Sequence, residues 1–140
     1  MNICDDYQSC TAQGAIADRH IVAWGSADGT ARQATGPTDP IMGIASYPNG
    51  AVDGGRVDVA RADFYEVVLG GPVSRGDPLT ADANGCAVSA TRHTHTENTA
   101  AAYAQNAVTA PAALVRIVGY AEMSGVAGDI IHVSIAPAVI

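Results

Sequence analysis

The stretch Ile41-Met42-Gly43-Ile44-Ala45, followed after a short loop by Gly54-Gly55-Arg56-Val57-Asp58-Val59, returns later as Ile117-Val118-Gly119-Tyr120-Ala121 and Gly128-Asp129-Ile130-Ile131-His132-Val133. Gly43 and Gly119 are 76 positions apart and Gly54 and Gly128 are 74 apart, so the second loop is two residues shorter. Each copy reads as an apolar strand interrupted by glycine, a glycine-rich turn, and a strand of alternating side chains. That is a β signature, and its repetition predicts a small pseudo-symmetric sheet or barrel. Val57 and Val59 fall on one face of the returning strand, Arg56 and Asp58 on the other.

Outward from this cassette the chain continues in short strands punctuated by turn residues. Asn49-Gly50 and Asp82-Ala83-Asn84-Gly85 are tight-turn signals, because asparagine and glycine tolerate positive φ. His20-Ile21-Val22-Ala23-Trp24 reads as a strand closed by a Gly25-to-Gly29 turn, with residues 31–34 able to pair back across it. Residues 64–69 form a more continuously apolar strand, as expected of one covered on both faces. The expected fold is all-β: a compact β-barrel or sandwich of short strands built on a pseudo-repeated β cassette. Residues 1–15 lack a clear period and read as a flexible N-terminal arm. Residues 16–140 read as a single β domain with an inserted loop at 91–112. Within that insertion residues 97–107 can form a short helix, Ala100, Tyr103, Ala104 and Ala107 sharing a face.

Composition narrows the function. The chain has 140 residues, 48% hydrophobic, a length that can bury a core in one domain. It carries 27 alanines and 15 glycines, while Trp24 and Phe64 are the sole residues of their kinds. Small side chains line ligand pockets poorly, which argues against an aromatic small-molecule site. The net charge is −7 and all seven basic residues are arginine, so a Walker lysine, a Schiff base and a Ser-Lys dyad are excluded. An acidic chain without a basic cluster is a poor binder of nucleic acid. The sequence contains no 18-residue apolar run and its start lacks a basic, then apolar, leader pattern, so neither a spanning helix nor a secretory signal is expected. Three cysteines, Cys4, Cys10 and Cys86, leave one unpaired in any disulfide scheme; this fits a reducing compartment, with a Cys4–Cys10 bridge after release left open.

Residues with chemical potential each have a plainer reading. His93 and His95 share one face of an extended segment, but two imidazoles fall short of the three or four ligands of a zinc site. Ser74 lies in Gly71-Pro72-Val73-Ser74-Arg75-Gly76, whose spacing and β flanks differ from a nucleophile elbow. Arg75-Gly76-Asp77 spells an integrin-type tripeptide and also an ordinary turn. Asp58 and Asp63 are not paired for acid–base work, and Trp24 and Phe64 read as core. The sequence therefore assigns no catalytic, cofactor-binding or metal-ligating residue.

The pattern resembles the tailed-phage head decoration proteins, also called capsid cement proteins. The resemblance rests on residues 70–85, with Gly76-Asp77-Pro78-Leu79 and Asp82-Ala83-Asn84-Gly85, and on residues 116–135, with Ile117-Val118-Gly119-Tyr120-Ala121 and Ala127-Gly128-Asp129. It covers roughly residues 40–140, the insertion at 91–112 being a departure. The resemblance implies a non-enzymatic virion protein, made in the host cytoplasm. Such a protein binds the outside of the expanded major capsid protein shell and stabilises it, as a homotrimer at three-fold or quasi-three-fold positions. No cofactor, nucleic acid or membrane is implied. Strand edges, the first fifteen residues and the insertion would be the natural contact elements, because strand addition needs no special side chains. The competing classes are a carbohydrate-binding or adhesion module displayed on a virion, which needs exposed aromatics, and a β-barrel hydrolase resting on Ser74.

Overall fold

A computed structural model describes residues 7–91 and 114–140, and every regular element among them is a strand. The strands are β1 (Tyr7–Ala12), β2 (Ile21–Trp24), β3 (Thr30–Gln33), β4 (Ile41–Ala45), β5 (Arg56–Ala60), β6 (Phe64–Val68), β7 (Pro78–Ala81), β8 (Ala87–Ser89), β9 (Arg116–Ala121) and β10 (Ile130–Val139). The first five close into a barrel in the order β1-β3-β2-β4-β5, and the second five form a sheet in the order β6-β10-β9-β7-β8.

The repeated cassette is borne out, and it is part of a larger repetition. Strands β4 and β5 pair with Ala45 opposite Val59, and β9 and β10 pair with Ala121 opposite Val133, the same positions of the two cassettes. The correspondence extends to every strand. Tyr7 faces Ala60 across β1 and β5, as Phe64 faces Ser134 across β6 and β10. Val22 faces Gln33 and Gly43, as Leu79 faces Ser89 and Gly119. The parallel closure of the barrel, Ala12 beside Ala31, returns as a single parallel bridge between Leu69 and Ala87. Turn hydrogen bonds repeat as well: Ala12 N–H donates to the Gly55 carbonyl at 2.8 Å, and Leu69 N–H to that of Asp129 at 2.8 Å. The chain is thus two copies of one five-stranded unit with a shared register.

Glycine sets the closest approach inside each unit. A Cβ on Gly43 would overlap the carbonyl oxygen of Ala60, and a Cβ on Gly119 would overlap that of Ser134, its counterpart. The Asn49-Gly50 turn takes φ of 69° and 78°, the consecutive positive values that its sequence predicts.

The two units differ in what they enclose. Cys10, Ala12, Val22, Met42, Val57 and Val59 fill the barrel. Their counterparts Val67, Leu69, Leu79, Val118, Ile131 and Val133 form the centre of a second cluster, which also takes in Ile21, Ala23, Ile41, Ile44 and Ala60 from the outside of the barrel. The second unit is therefore held open by the first. The Arg19–Ile21 segment enters its seam, Val68 N–H donating to the Arg19 carbonyl at 2.9 Å and Ile21 N–H to the Gly85 carbonyl at 2.7 Å. Burying each such Ile or Val contributes about 1.5–3 kcal/mol, enough to fix the two units together.

Three expectations change. Residues 7–12 of the expected arm are β1, a barrel strand. Its inward side chains Cys10 and Ala12 are small and its partner β5 is distant in sequence, so local hydrophobic period did not reveal it. Strand β6 is an edge strand with one face open, not a strand covered on both sides, and Phe64 points outward. Trp24, at the end of β2, is also partly exposed. Residues 1–6, the candidate helix at 97–107 and nearly all of the insertion at 91–112 lie outside the described residues.

Candidate interaction surface

Cross-strand partners in a sheet point to the same side, so register alone assembles a face. On the outer side of the second sheet Phe64, Ser134, Tyr120 and Pro78 form one row across β6, β10, β9 and β7. A second row joins Glu66 to His132, and a third joins Val68 to Ile130. Phe64 is 63% exposed, Ile130 48% and Tyr120 43%. The following loop adds exposed Met123 and Val126. Apolar side chains exposed side by side, unlike those exposed singly, mark a surface that meets a partner.

The equivalent row in the barrel is Tyr7, Ala60, Ile44 and Ile21. Of these Ala60, Ile44 and Ile21 are buried against the second unit. One backbone face is thus an internal interface in the first copy and open in the second. Glu66 accepts from Arg19 Nε at 3.3 Å, a bond that spans the two units at the border of the open face.

A second exposed group lies at the barrel's rim. The Arg61 guanidinium lies 4.9 Å from the Trp24 ring centroid and donates to the Gln8 side-chain oxygen at 2.6 Å. Tyr7 meets Tyr65 edge-on at 6.4 Å, and Tyr65 Oη donates to Ser46 Oγ at 2.9 Å. The cation covers one side of Trp24, which lowers the ring area available for stacking.

The residues singled out for chemistry are dispersed. Ser74 sits in an exposed turn, where its N–H donates to Asp77 Oδ2 at 2.9 Å. The Ser89 hydroxyl donates to the same oxygen at 2.7 Å, and these two bonds, Ser89 first, hold the Asp77 carboxyl below the usual carboxylate range. Arg75-Gly76-Asp77 is accordingly a structured turn, Gly76 having φ of 93°. Asp58 accepts from Ser9 Oγ at 2.7 Å and from Arg56, while Asp63 offers its carbonyl to Ile135 N–H at 2.7 Å. Cys10 is a buried free thiol in the barrel. His93, His95 and Cys4 lie outside the described residues, and among the described residues no three metal-ligating side chains cluster.

One close pair had no sequence signal. Cys86 Sγ lies 3.5 Å from His20 Nε2, and His20 Nδ1 lies 2.8 Å from the Asp18 carbonyl oxygen. The pair joins residues 66 positions apart across the boundary between the units. Burial, with a smaller contribution from Asp82, pushes the Cys86 thiol up, which favours the neutral S–H and opposes nucleophilic use.

The sequence and the fold each resemble known proteins. A family model described as phage cement protein matches residues 6–130. The fold is similar to the crystal structure of the head fiber gp8.5 N base in bacteriophage phi29, with a TM-score of 0.60 and 16% sequence identity, over 93% of this chain and 92% of that one. No curated protein matches the chain.

Proposed function

Because this chain belongs to the phage cement protein family, we propose that it binds the outer surface of the major capsid protein shell and stabilises the expanded head as a non-enzymatic virion protein. The family match across residues 6–130 carries the reading. The open face of the second sheet supports it, since a protein that works by adhesion needs exposed apolar area on a rigid frame. Many identical copies on a closed shell multiply a modest individual affinity. Three copies around a three-fold or quasi-three-fold position would suit a shell lattice, and the protein's site of action is the capsid exterior after synthesis in the host cytoplasm.

Mixing the purified protein with expanded, undecorated shells and sedimenting them tests the reading. Saturable co-sedimentation and an upward shift in shell melting are expected; protein that stays in the supernatant at saturating shell refutes it. Multi-angle light scattering and a map of decorated shells test the trimer.

A second reading, a carbohydrate-binding or adhesion module on a virion, draws on Trp24, 37% exposed beside Arg61 and Gln8 at the barrel rim. A sugar ring would stack on the side of Trp24 that the guanidinium leaves open. A glycan array with binding that Trp24→Ala abolishes would favour this reading.

A further inference from the structure

We propose that the outer face of β6, β10 and β9 is the surface that meets the shell, and that the shell presents to it two apolar strips with a basic side chain between them. This rests on the shell-binding reading above and adds the face and the chemistry of its partner.

The internal duplication supplies a control for what solvent asks of this backbone. Where the second unit places Val68 and Ile130 opposite each other, the first unit places Thr11 and Arg56 in the same register. Where the second has Glu66 and His132, the first has Ser9 and Asp58, joined by a hydrogen bond of 2.7 Å. The first copy has dressed this part of the face for water. The second carries apolar side chains at the matching places, and Ile130 and Phe64 stay about half or more exposed. Fold stability does not require them, because the same frame forms with Thr and Arg. They mark a surface that is covered in another setting.

Charge selects the occupant. Between the two apolar rows run Glu66, His132 and Glu122, Glu122 N–H donating to the His132 carbonyl at 3.0 Å and Glu66 already held by Arg19, on a chain of net charge −7. Of the six described arginines, Arg19, Arg32 and Arg56 already hold carboxylates and Arg61 holds Gln8 and the Trp24 ring. A second copy therefore offers few free cations to meet the Glu122 carboxylate, and a two-fold contact would set like charges against each other. A partner surface that sets a basic side chain between two apolar strips matches both the apolar rows and the Glu122 carboxylate between them.

The test replaces second-copy residues with their first-copy equivalents. Val68→Thr with Ile130→Arg is compatible with the fold by construction, and Phe64→Ser, at a side chain 63% exposed, is an independent variant. Full-length protein is titrated onto expanded, undecorated shells by co-sedimentation. Both variants should bind at least tenfold more weakly while melting as wild type, Val52→Ser on the barrel should bind as wild type, and wild-type affinity should fall as salt rises. Wild-type affinity in both variants overturns the assignment of this face while shell binding stands. Loss of self-association with shell affinity intact also overturns it, giving the face to a second copy. Failure of the wild type to bind any shell overturns the functional reading itself.

Discussion

Replacing Gly43 or Gly119 by alanine tests the shared architecture most directly. The added Cβ at position 43 would overlap the Ala60 carbonyl oxygen and stand 3.1 Å from its carbon, with Val59 Cγ1 at 3.0 Å. At position 119 it would overlap the Ser134 carbonyl oxygen, 2.9 Å from its carbon and 3.0 Å from Ala136 N. Both obstacles are backbone, so no rotamer change relieves them and the paired strands must part. Overpacking of this kind costs up to about 3 kcal/mol, and disturbed strand hydrogen bonds add about 1 kcal/mol. The lower entropy of an unfolded alanine returns about 0.5–1 kcal/mol. The net loss is about 3 kcal/mol at either site. For a chain of this size that lowers Tm by about 10 °C. Gly36→Ala is the control, since a Cβ there meets open space. Urea denaturation and calorimetry on the three variants measure the effect. If Gly43→Ala and Gly119→Ala melt within about a degree of Gly36→Ala, the strands do not approach each other this closely and the reasoning fails. If only one falls, the two cassettes are not equivalent.

Three further outcomes are expected. Ile44→Ala should cost about 2–4 kcal/mol by urea denaturation, because Ile44 is buried between the units, whereas Tyr120→Ala at the matching place should cost under about 1 kcal/mol; equal losses would deny the asymmetry. Below pH 4 the protein should lose stability through Asp39 and Asp77. At Asp39 burial raises the pKa, but Arg32 and Thr35 outweigh it, and both carboxyls end below 3.8. A depressed folded-state pKa gives stability that is present above the unfolded value and lost as pH falls through the folded one, so urea midpoints of Asp39→Asn and Asp77→Asn should vary less between pH 2 and 5 than wild type. Burial raises the thiols of Cys10 and Cys86, so peptide-level alkylation at pH 8 should run at least tenfold slower at both in native protein than in denaturant; equal rates would contradict their placement.

The sequence disclosed the cassette because both of its faces were constrained: Gly43 and Gly119 by a neighbouring carbonyl, Ala45 and Ala121 by the interior, Val59 and Val133 by the core. It hid the rest of the duplication. Cys10 and Val67, or Val22 and Leu79, agree only in being apolar, while outward positions diverged, Ile21 against Pro78 and Arg56 against Ile130. Spacing drifted too, from 57 positions between Ala12 and Leu69, to 56 between Ala31 and Ala87, to 76 between Gly43 and Gly119. Strand β1 stayed unread because its inward residues are small. The open face was obscured because exposure of Phe64, Tyr120 and Ile130 depends on which sheet face meets the other unit, a tertiary fact that alternation cannot carry.

The jump from 56 to 76 has a practical meaning. Between Ser89 and Arg116 the second unit holds about twenty residues more than the first holds between Gln33 and Ile41, yet Leu79 still faces Ser89 and Gly119 as Val22 faces Gln33 and Gly43. Lengthening a connection that much costs about 1 kcal/mol in chain entropy, a sum this frame has already absorbed. The connection between Ser89 and Arg116 is therefore the natural port for foreign sequence: an epitope or enzyme grafted into it should leave β8 and β9 paired with β7.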